Sequence, residues 1–136
     1  MQYGLPVETR RHKHLVLILA REFASNLATP TAIADDQGTV VFYNEAAEEV
    51  VGKPFAEAAE ISLDEWSTRF APRTESGPMP PEQLAGQVAL QERRAVHERY
   101  RVTSVDGVER DVAVTAFPLL AQGEEFVGIV VIFWRE

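Results

Sequence analysis

His97, Asp111, the acidic group Glu45, Glu48 and Glu49, and the pairs Asp64/Glu65 and Glu124/Glu125 are the side chains of this 136-residue chain best suited by type to move a proton or hold a cation. A general base needs a carboxylate or imidazole with a tuned pKa, and a metal needs several ligands converging from fixed spacings. The spacings supply neither. The two acidic clusters have no histidine or metal-ligand spacing near them and belong on solvated faces. Asp64 and Glu65 fall where a helix N-terminus favours acids. His97 lies among Glu92, Arg93 and Glu98, the setting of a surface histidine, while His12 and His14 sit beside Arg10, Arg11 and Lys13 at the solvated start of a helix. Asp111 is the one acid embedded in an apolar strand, and its expected direction is toward water. No glycine-rich phosphate loop, nucleophile elbow or His-Glu metal motif occurs. The chain has no cysteine, which removes disulfides, thiolate nucleophiles, Cys-ligated zinc and iron–sulfur clusters.

Composition narrows the field further. Hydrophobic residues make up 46% and charged residues 25%, the balance of a globular protein, and the length suits one hydrophobic core. The net charge of -8 and the sequence pI near 4.9 oppose phosphate-backbone binding, which draws on clustered Lys and Arg, so no nucleic-acid partner is expected. The apolar run Leu15 to Ala20 ends at Arg21-Glu22, too short to span a bilayer. No membrane partner is expected, and the location expected is the cytoplasm.

The elements that must position these side chains follow from periodicity. Leu15, Leu19, Phe23 and Leu27 recur at four-residue steps within a helix predicted over Thr9 to Leu27, and Val16, Leu17 and Ile18 widen its apolar stripe nearly all round. Such a helix wants two partners. Ala32 to Ala34 and Thr39 to Tyr43 flank Asp35-Asp36-Gln37-Gly38 as a β-hairpin. Asn44 then caps a short acidic helix that stops at Gly52, with Pro54 just beyond. Phe55 to Ala59 suits a short turn, and Ser62-Leu-Asp-Glu65 has capping-box spacing ahead of Trp66 and Phe70. Ala71 to Pro81 carries four prolines and reads as an irregular connector. A long helix is predicted from Pro81 to about Arg94, weakened but not broken by Gly86. Three strands close the chain: Val96 to Ser104, a turn at Val105-Asp106-Gly107, Glu109 to Leu119, a turn at Ala121 to Glu125, and Phe126 to Trp134. The last is apolar on both faces and belongs mid-sheet, with the amino-terminal helix as its second cover.

Strand, Asp-x-x-Gly turn, strand, Asn, short acidic helix and Gly-x-Pro-Phe, in the stretch Thr31 to Phe55, resemble the opening of a PAS domain. Pro80-Pro81-Glu-Gln-Leu84, Val105-Asp-Gly107, Ala116-Phe-Pro118-Leu119 and Gly128 resemble the PAS_4-type branch, and the resemblance covers essentially the whole chain. It implies an α+β fold in which one five-stranded antiparallel sheet, of spatial order 2-1-5-4-3, carries short helices on one face and the amino-terminal helix on the other. Residues 1–28 would form that helix, a dimerisation element or cap, and 29–136 the PAS core. Many PAS domains finish with an Asp-Ile-Thr motif that starts a helix to the output domain. Here Phe133-Trp-Arg-Glu136 stands in its place, so the expectation is either a fragment of a larger regulator or a module that signals by association.

The resemblance implies sensing and docking rather than catalysis, in bacterial-type signal transduction. Flavin-cysteinyl photochemistry needs a cysteine where Glu45-Ala-Ala-Glu48 has none, and a coumarate chromophore needs one as well. Haem members commonly take their axial histidine from the long helix, which has none here. His97, just past it, is the one conceivable ligand, so no cofactor or metal is expected. The interior between short helices and sheet is expected to be lined by Tyr43, Phe55, Ile61, Leu63, Trp66, Phe70, Leu84, Val88, Val114, Phe117, Ile129 and Val131, as packed core or as a ligand pocket. The expected dimer surface is Leu15, Val16, Leu19, Phe23, Leu27 and Trp134. Expected partners are a second copy, a kinase, phosphatase or transcription regulator in the same or another chain, and a small apolar ligand. The alternatives are an apolar-ligand sensor or carrier of the same fold and, more distantly, a small cone-shaped α+β isomerase or hydrolase, which needs a buried carboxylate in its pocket.

Overall fold

A computed structural model describes residues 7–52, 55, 61–103 and 107–136, with the side chains of the first helix described from Leu15 onward. The turn expected over Phe55 to Ala59 beyond Phe55 itself, Pro54, the strand end at Ser104, the Val105-Asp106 part of the later turn and the exposure of His12 and His14 lie outside the described residues.

The elements run α1 (Val7–Ser25), β1 (Thr31–Asp35), β2 (Val40–Tyr43), α2 (Glu45–Val51), α3 (Leu63–Thr68), β3 (Arg73–Thr74), β4 (Gly77–Pro78), α4 (Ala85–Glu92), β5 (Val96–Thr103), β6 (Glu109–Leu120) and β7 (Phe126–Arg135). One antiparallel sheet holds all the strands in the order β2-β1-β7-β6-β5-β3-β4. Its first five strands have the expected 2-1-5-4-3 order. The additional β3–β4 hairpin lies at the edge, within the segment expected to be irregular. Its two-residue strands include Pro78 at the rim, where the missing N–H costs no ladder bond.

β7 is central because both of its faces are covered. Ile129 and Val131 join the main core with Ala32, Ala34, Tyr43, Leu63, Trp66 and Ala116, while Val130 joins Ile33 and Ala24 on the opposite face. On that second face Leu17 and Ala20 of α1 add to the packing, along with Phe42, Phe117, Leu119 and Ile132. The side of α1 turned away from the sheet leaves Leu15, Ile18, Leu19 and Phe23 exposed, the last at 67%.

The caps follow the predicted chemistry. Asn44 Oδ1 accepts from the Ala47 N–H, Gly52 closes α2 in the left-handed conformation, and Ser62 Oγ accepts from the Glu65 N–H. The helix expected as one piece from Pro81 to Arg94 is instead divided. A 3-10 turn over Pro81–Gln83 gives way to extended backbone at buried Leu84, and α4 begins at Ala85. The Ala85 N–H is taken by the Tyr100 hydroxyl at 2.9 Å, so no helical carbonyl receives it. Gly86 allows α4 to lie close on α3, since a Cβ there would come within 2.8 Å of Leu63 Cδ2.

Candidate functional site

Between the short helices and the concave face of the sheet lies a cavity of about 580 Å³. Its walls come from Ala28-Thr29-Pro30 between α1 and β1, from Ala46, Glu49 and Val50 of α2, and from Trp66, Ser67 and Phe70 of α3. The Leu84–Gly86 segment forms another wall. The sheet contributes Tyr100 and Val102 of β5, Arg110, Val112 and Val114 of β6, and Val131 and Phe133–Arg135 of β7. The aromatic side is a stacked cluster: Trp66 meets Phe70 at 5.6 Å and Phe133 at 5.8 Å edge to face, and Tyr43 at 6.1 Å. Such contacts hold rings in fixed orientations.

Of the residues expected to line an interior, Trp66, Phe70, Leu84, Val114 and Val131 face this cavity. Tyr43, Ile61, Leu63 and Ile129 are buried in the close-packed core beside it, and Phe55 and Val88 pack against that core. Phe117 requires a correction. It lies on the opposite face, under α1, because Val112, Val114 and Ala116 point to the concave side and the strand period of two turns Phe117 away. Sequence reasoning missed Tyr100, Arg110, Val112, Phe133 and Arg135. The same alternation carried the signal, since Arg110 shares parity with Val112 and Val114, and Phe133 and Arg135 share it with Ile129 and Val131.

Thr29, Glu49, Ser67, Tyr100, Arg110 and Arg135 bring polar groups to the cavity lining. Tyr100 is buried and its pKa is raised, first by that burial; the hydrogen bond from Ala85 opposes the shift and nearby Glu98 adds to it. Tyr43, in the core beside the cavity, is likewise raised by burial and then by the Glu48 charge. Trp66 Nε1 is buried without a hydrogen-bond partner among the described residues.

Asn44, read from the sequence as a cap, does more than cap. Fully buried, it donates through Nδ2 to the carbonyls of Ala24 and Thr29, both at 2.9 Å, and Oδ1 accepts from the Thr31 N–H at 3.0 Å as well as from Ala47. One side chain thereby ties the last turn of α1 to the segment and helix that wall the cavity.

The other chemistry-bearing residues stand apart from it. His97 is exposed, with Nδ1 2.8 Å from Thr115 Oγ1, and Thr115 is on the α1 side of β6. Asp111 is exposed and pairs with Arg101 at 3.1 Å. Among the described residues, the one acid in the cavity lining is Glu49, which is exposed. Among the described residues no group of three His, Asp or Glu side chains is arranged to hold a metal, and no helix is long and apolar enough to cross a membrane. Of the expected dimer residues, Leu15, Leu19, Phe23 and Trp134 are exposed, while Val16 and Leu27 are half-buried; Ile18, exposed on the same side of α1, was not among them.

A single antiparallel sheet with its last strand at the centre, short helices enclosing an apolar cavity on one face and a leading helix on the other, defines a sensory domain of the PAS class. The PAS_4 family, described as a PAS fold, matches residues 24–135, and the chain belongs to it. Members of this class serve as sensory and interaction modules in signalling proteins. No curated protein matches the sequence. Among solved structures the chain is similar to the PAS domain of Bordetella pertussis BvgS, with 16% identity, TM-score 0.62, and coverage of 88% of this chain and 84% of that one. It is similar to the PAS domain of the fruit-fly ELK potassium channel, with 10% identity, TM-score 0.70, and coverage of 88% and 95%. It also resembles the phage VqmA–DPO complex, with 13% identity and TM-score 0.67, where 93% of this chain matches 56% of that one. At these identities the likeness is one of fold.

Proposed function

We propose that this chain is a non-catalytic PAS sensory module of a bacterial-type cytoplasmic signalling pathway, acting as a homodimer through α1. The observation that carries the reading is the exposed apolar stripe Leu15, Ile18, Leu19 and Phe23 on the side of α1 turned away from the sheet. Four large apolar side chains within nine residues of one helix form a contiguous patch of the kind that marks an interaction site. Because they lie on one side of one helix, the occupant that fits without further structure is the same stripe on a second copy. Trp134 extends the surface on the sheet. The output partner in this reading is a kinase, phosphatase or transcription regulator in the same or another chain. Asn44 supports the mechanism: it links the α1 terminus to the cavity walls, so a ligand or partner that favours one packing of α1 shifts the dimer with it.

The test is the mass of the full chain in solution by sedimentation equilibrium, with Leu19→Glu and Phe23→Glu as variants. The expected result is twice the chain mass for the parent and a monomer for either variant, with thermal midpoints little changed. A parent that stays monomeric at high micromolar concentration sinks the reading.

The cavity favours a second reading, a sensor or carrier of small molecules. Its volume of about 580 Å³ falls within the usual range of ligand sites, and a structural neighbour is a DPO complex. Native mass spectrometry separates the two readings: a mass excess that vanishes on denaturation supports a bound guest.

A further inference from the structure

Tyr100 and Trp66 line the cavity and are nearly sealed from solvent, Tyr100 at 6% exposure and Trp66 at 4%. Each carries a donor that the fold leaves unanswered. The Tyr100 hydroxyl oxygen accepts from the Ala85 N–H at 2.9 Å, but its own proton has no acceptor among the described residues. Trp66 Nε1 has no partner among them either. Buried donors are as a rule paired, because taking one out of water without an acceptor is unfavourable. Two exceptions in the wall of one cavity point to an acceptor that the chain itself does not supply.

The start of α4 adds a third donor next to Tyr100. The first N–H groups of a helix have no carbonyl within the helix to receive them, and Leu84, in the cap position, makes no side-chain bond. Tyr100 takes the Ala85 N–H. That of Gly86, one residue on and also in the cavity wall, has no acceptor among the described residues. The peptide dipoles of α4 put partial positive charge at this end, which favours an electron-rich oxygen. Trp66 and Phe133, edge to face at 5.8 Å, offer the cavity an aromatic wall for an apolar body.

We propose that the cavity binds a small neutral molecule, an apolar body carrying a carbonyl oxygen, with that oxygen accepting from the Tyr100 hydroxyl and the Gly86 N–H and the body against Trp66 and Phe133. This deepens the ligand-sensing reading and rests on it. A carbonyl oxygen has two lone pairs and can take both donors at once. A hydrocarbon guest would leave them unanswered. The donors at this end are uncharged, and moving a carboxylate out of water costs far more than moving a ketone, so a neutral oxygen is the matching acceptor.

The experiment titrates the full chain with 2-acetylnaphthalene and 2-nonanone, one flat and one flexible. Each is compared with the isostere that has a methylene in place of its carbonyl oxygen, 2-isopropenylnaphthalene and 2-methyl-1-nonene. Proton–nitrogen NMR spectra give affinity and amide shifts together. The expected result is that at least one ketone binds and moves the Gly86 N–H proton downfield, as a new hydrogen bond does, while its alkene leaves that signal nearly in place. Tyr100→Phe should weaken the ketone about fivefold and its alkene less than about twofold, a comparison in which the greater hydrophobicity of the alkene cancels. The variant also strands the Ala85 N–H, so its thermal unfolding is recorded; if it does not fold, the Gly86 shift in the parent chain decides. Binding of the alkenes without the ketones, or equal response of ketone and alkene in both measurements, overturns the carbonyl proposal and leaves the cavity as a ligand site. Failure of all four probes to bind overturns both.

Discussion

Asn44 Nδ2 donates to the Ala24 carbonyl at 2.9 Å, a bond that spans twenty residues and fastens the end of α1 to the start of α2. Its consequence is that the covering helix and the cavity walls share one buried amide. Both of its polar atoms are used, Oδ1 by the Thr31 and Ala47 N–H groups and Nδ2 by carbonyls on either side of Leu27.

Replacing Asn44 by alanine should therefore cost more than an ordinary cap. Loss of the cap accounts for about 1 kcal/mol, and stranding buried partners of the amide adds about 1–3 kcal/mol. Urea unfolding should give a total of about 2–4 kcal/mol, and hydrogen exchange should show α1 opening first. A loss below about 1 kcal/mol, with α1 still protected, would mean that the capping bond is its whole contribution.

Gly128 and Gly86 should answer differently to alanine. A Cβ at Gly128 would sit 2.2 Å from the Ala34 carbonyl oxygen, a backbone atom fixed in the β1–β7 ladder. Gly128→Ala should destabilise by about 3 kcal/mol, the upper range of overpacking costs. At Gly86 the obstacle is the end of the Leu63 side chain, and alanine gains about 1 kcal/mol of helix propensity. Gly86→Ala should stay within about 1 kcal/mol of the parent. Denaturant midpoints in the reverse order would refute the close approach of β1 to β7.

Tyr43 and Tyr100 give the protein an alkaline limit. Burial favours the neutral phenol, so both folded-state pKa values lie above the ordinary 10.0. In the window between the unfolded and folded values the native state holds more protons than the unfolded chain, and stability falls with rising pH. The stabilisation tied to the two hydroxyls is complete below pH 10 and is lost as pH passes through the raised values. Tyr100→Phe should remove part of that alkaline loss, and should cost about 1–2 kcal/mol near neutrality by stranding the Ala85 N–H. Tyrosinate absorbance and unfolding midpoints across the alkaline range check both statements; an unchanged alkaline slope in the variant would contradict the Tyr100 shift.

Local chemistry made most of the fold legible. The Asp35 to Gly38 turn, the Asn44 and Ser62 caps, the Gly52 stop and the doubly apolar β7 are encoded within a few residues of where they act. The division at Leu84 was not legible, because the hydroxyl of Tyr100 that takes the Ala85 N–H arrives from fifteen residues away in sequence, on another element. The apolar residues of the site were recognised as interior without being sorted: Ile129 and Trp66 look alike in sequence, yet one is sealed in the core and the other faces the cavity. Phe117 was assigned to the wrong side of β6 although alternation from Val114 places it with α1.

By itself the sequence determined the kinds and order of the main elements, the β3–β4 hairpin and the break at Leu84 apart, together with the absence of thiol chemistry and the membership of a central strand in a two-sided core. Those properties depend on composition and short-range periodicity. Tertiary structure alone decided that Asn44 joins α1 to the cavity wall, that α1 leaves Leu15, Ile18, Leu19 and Phe23 uncovered, and that Tyr100, Val112 and Phe133 from three strands line one cavity. The reason is register. Which residues become neighbours across a sheet is set by the pairing of strands distant in sequence, and a shift of one residue would turn the side chains of a strand to the other face.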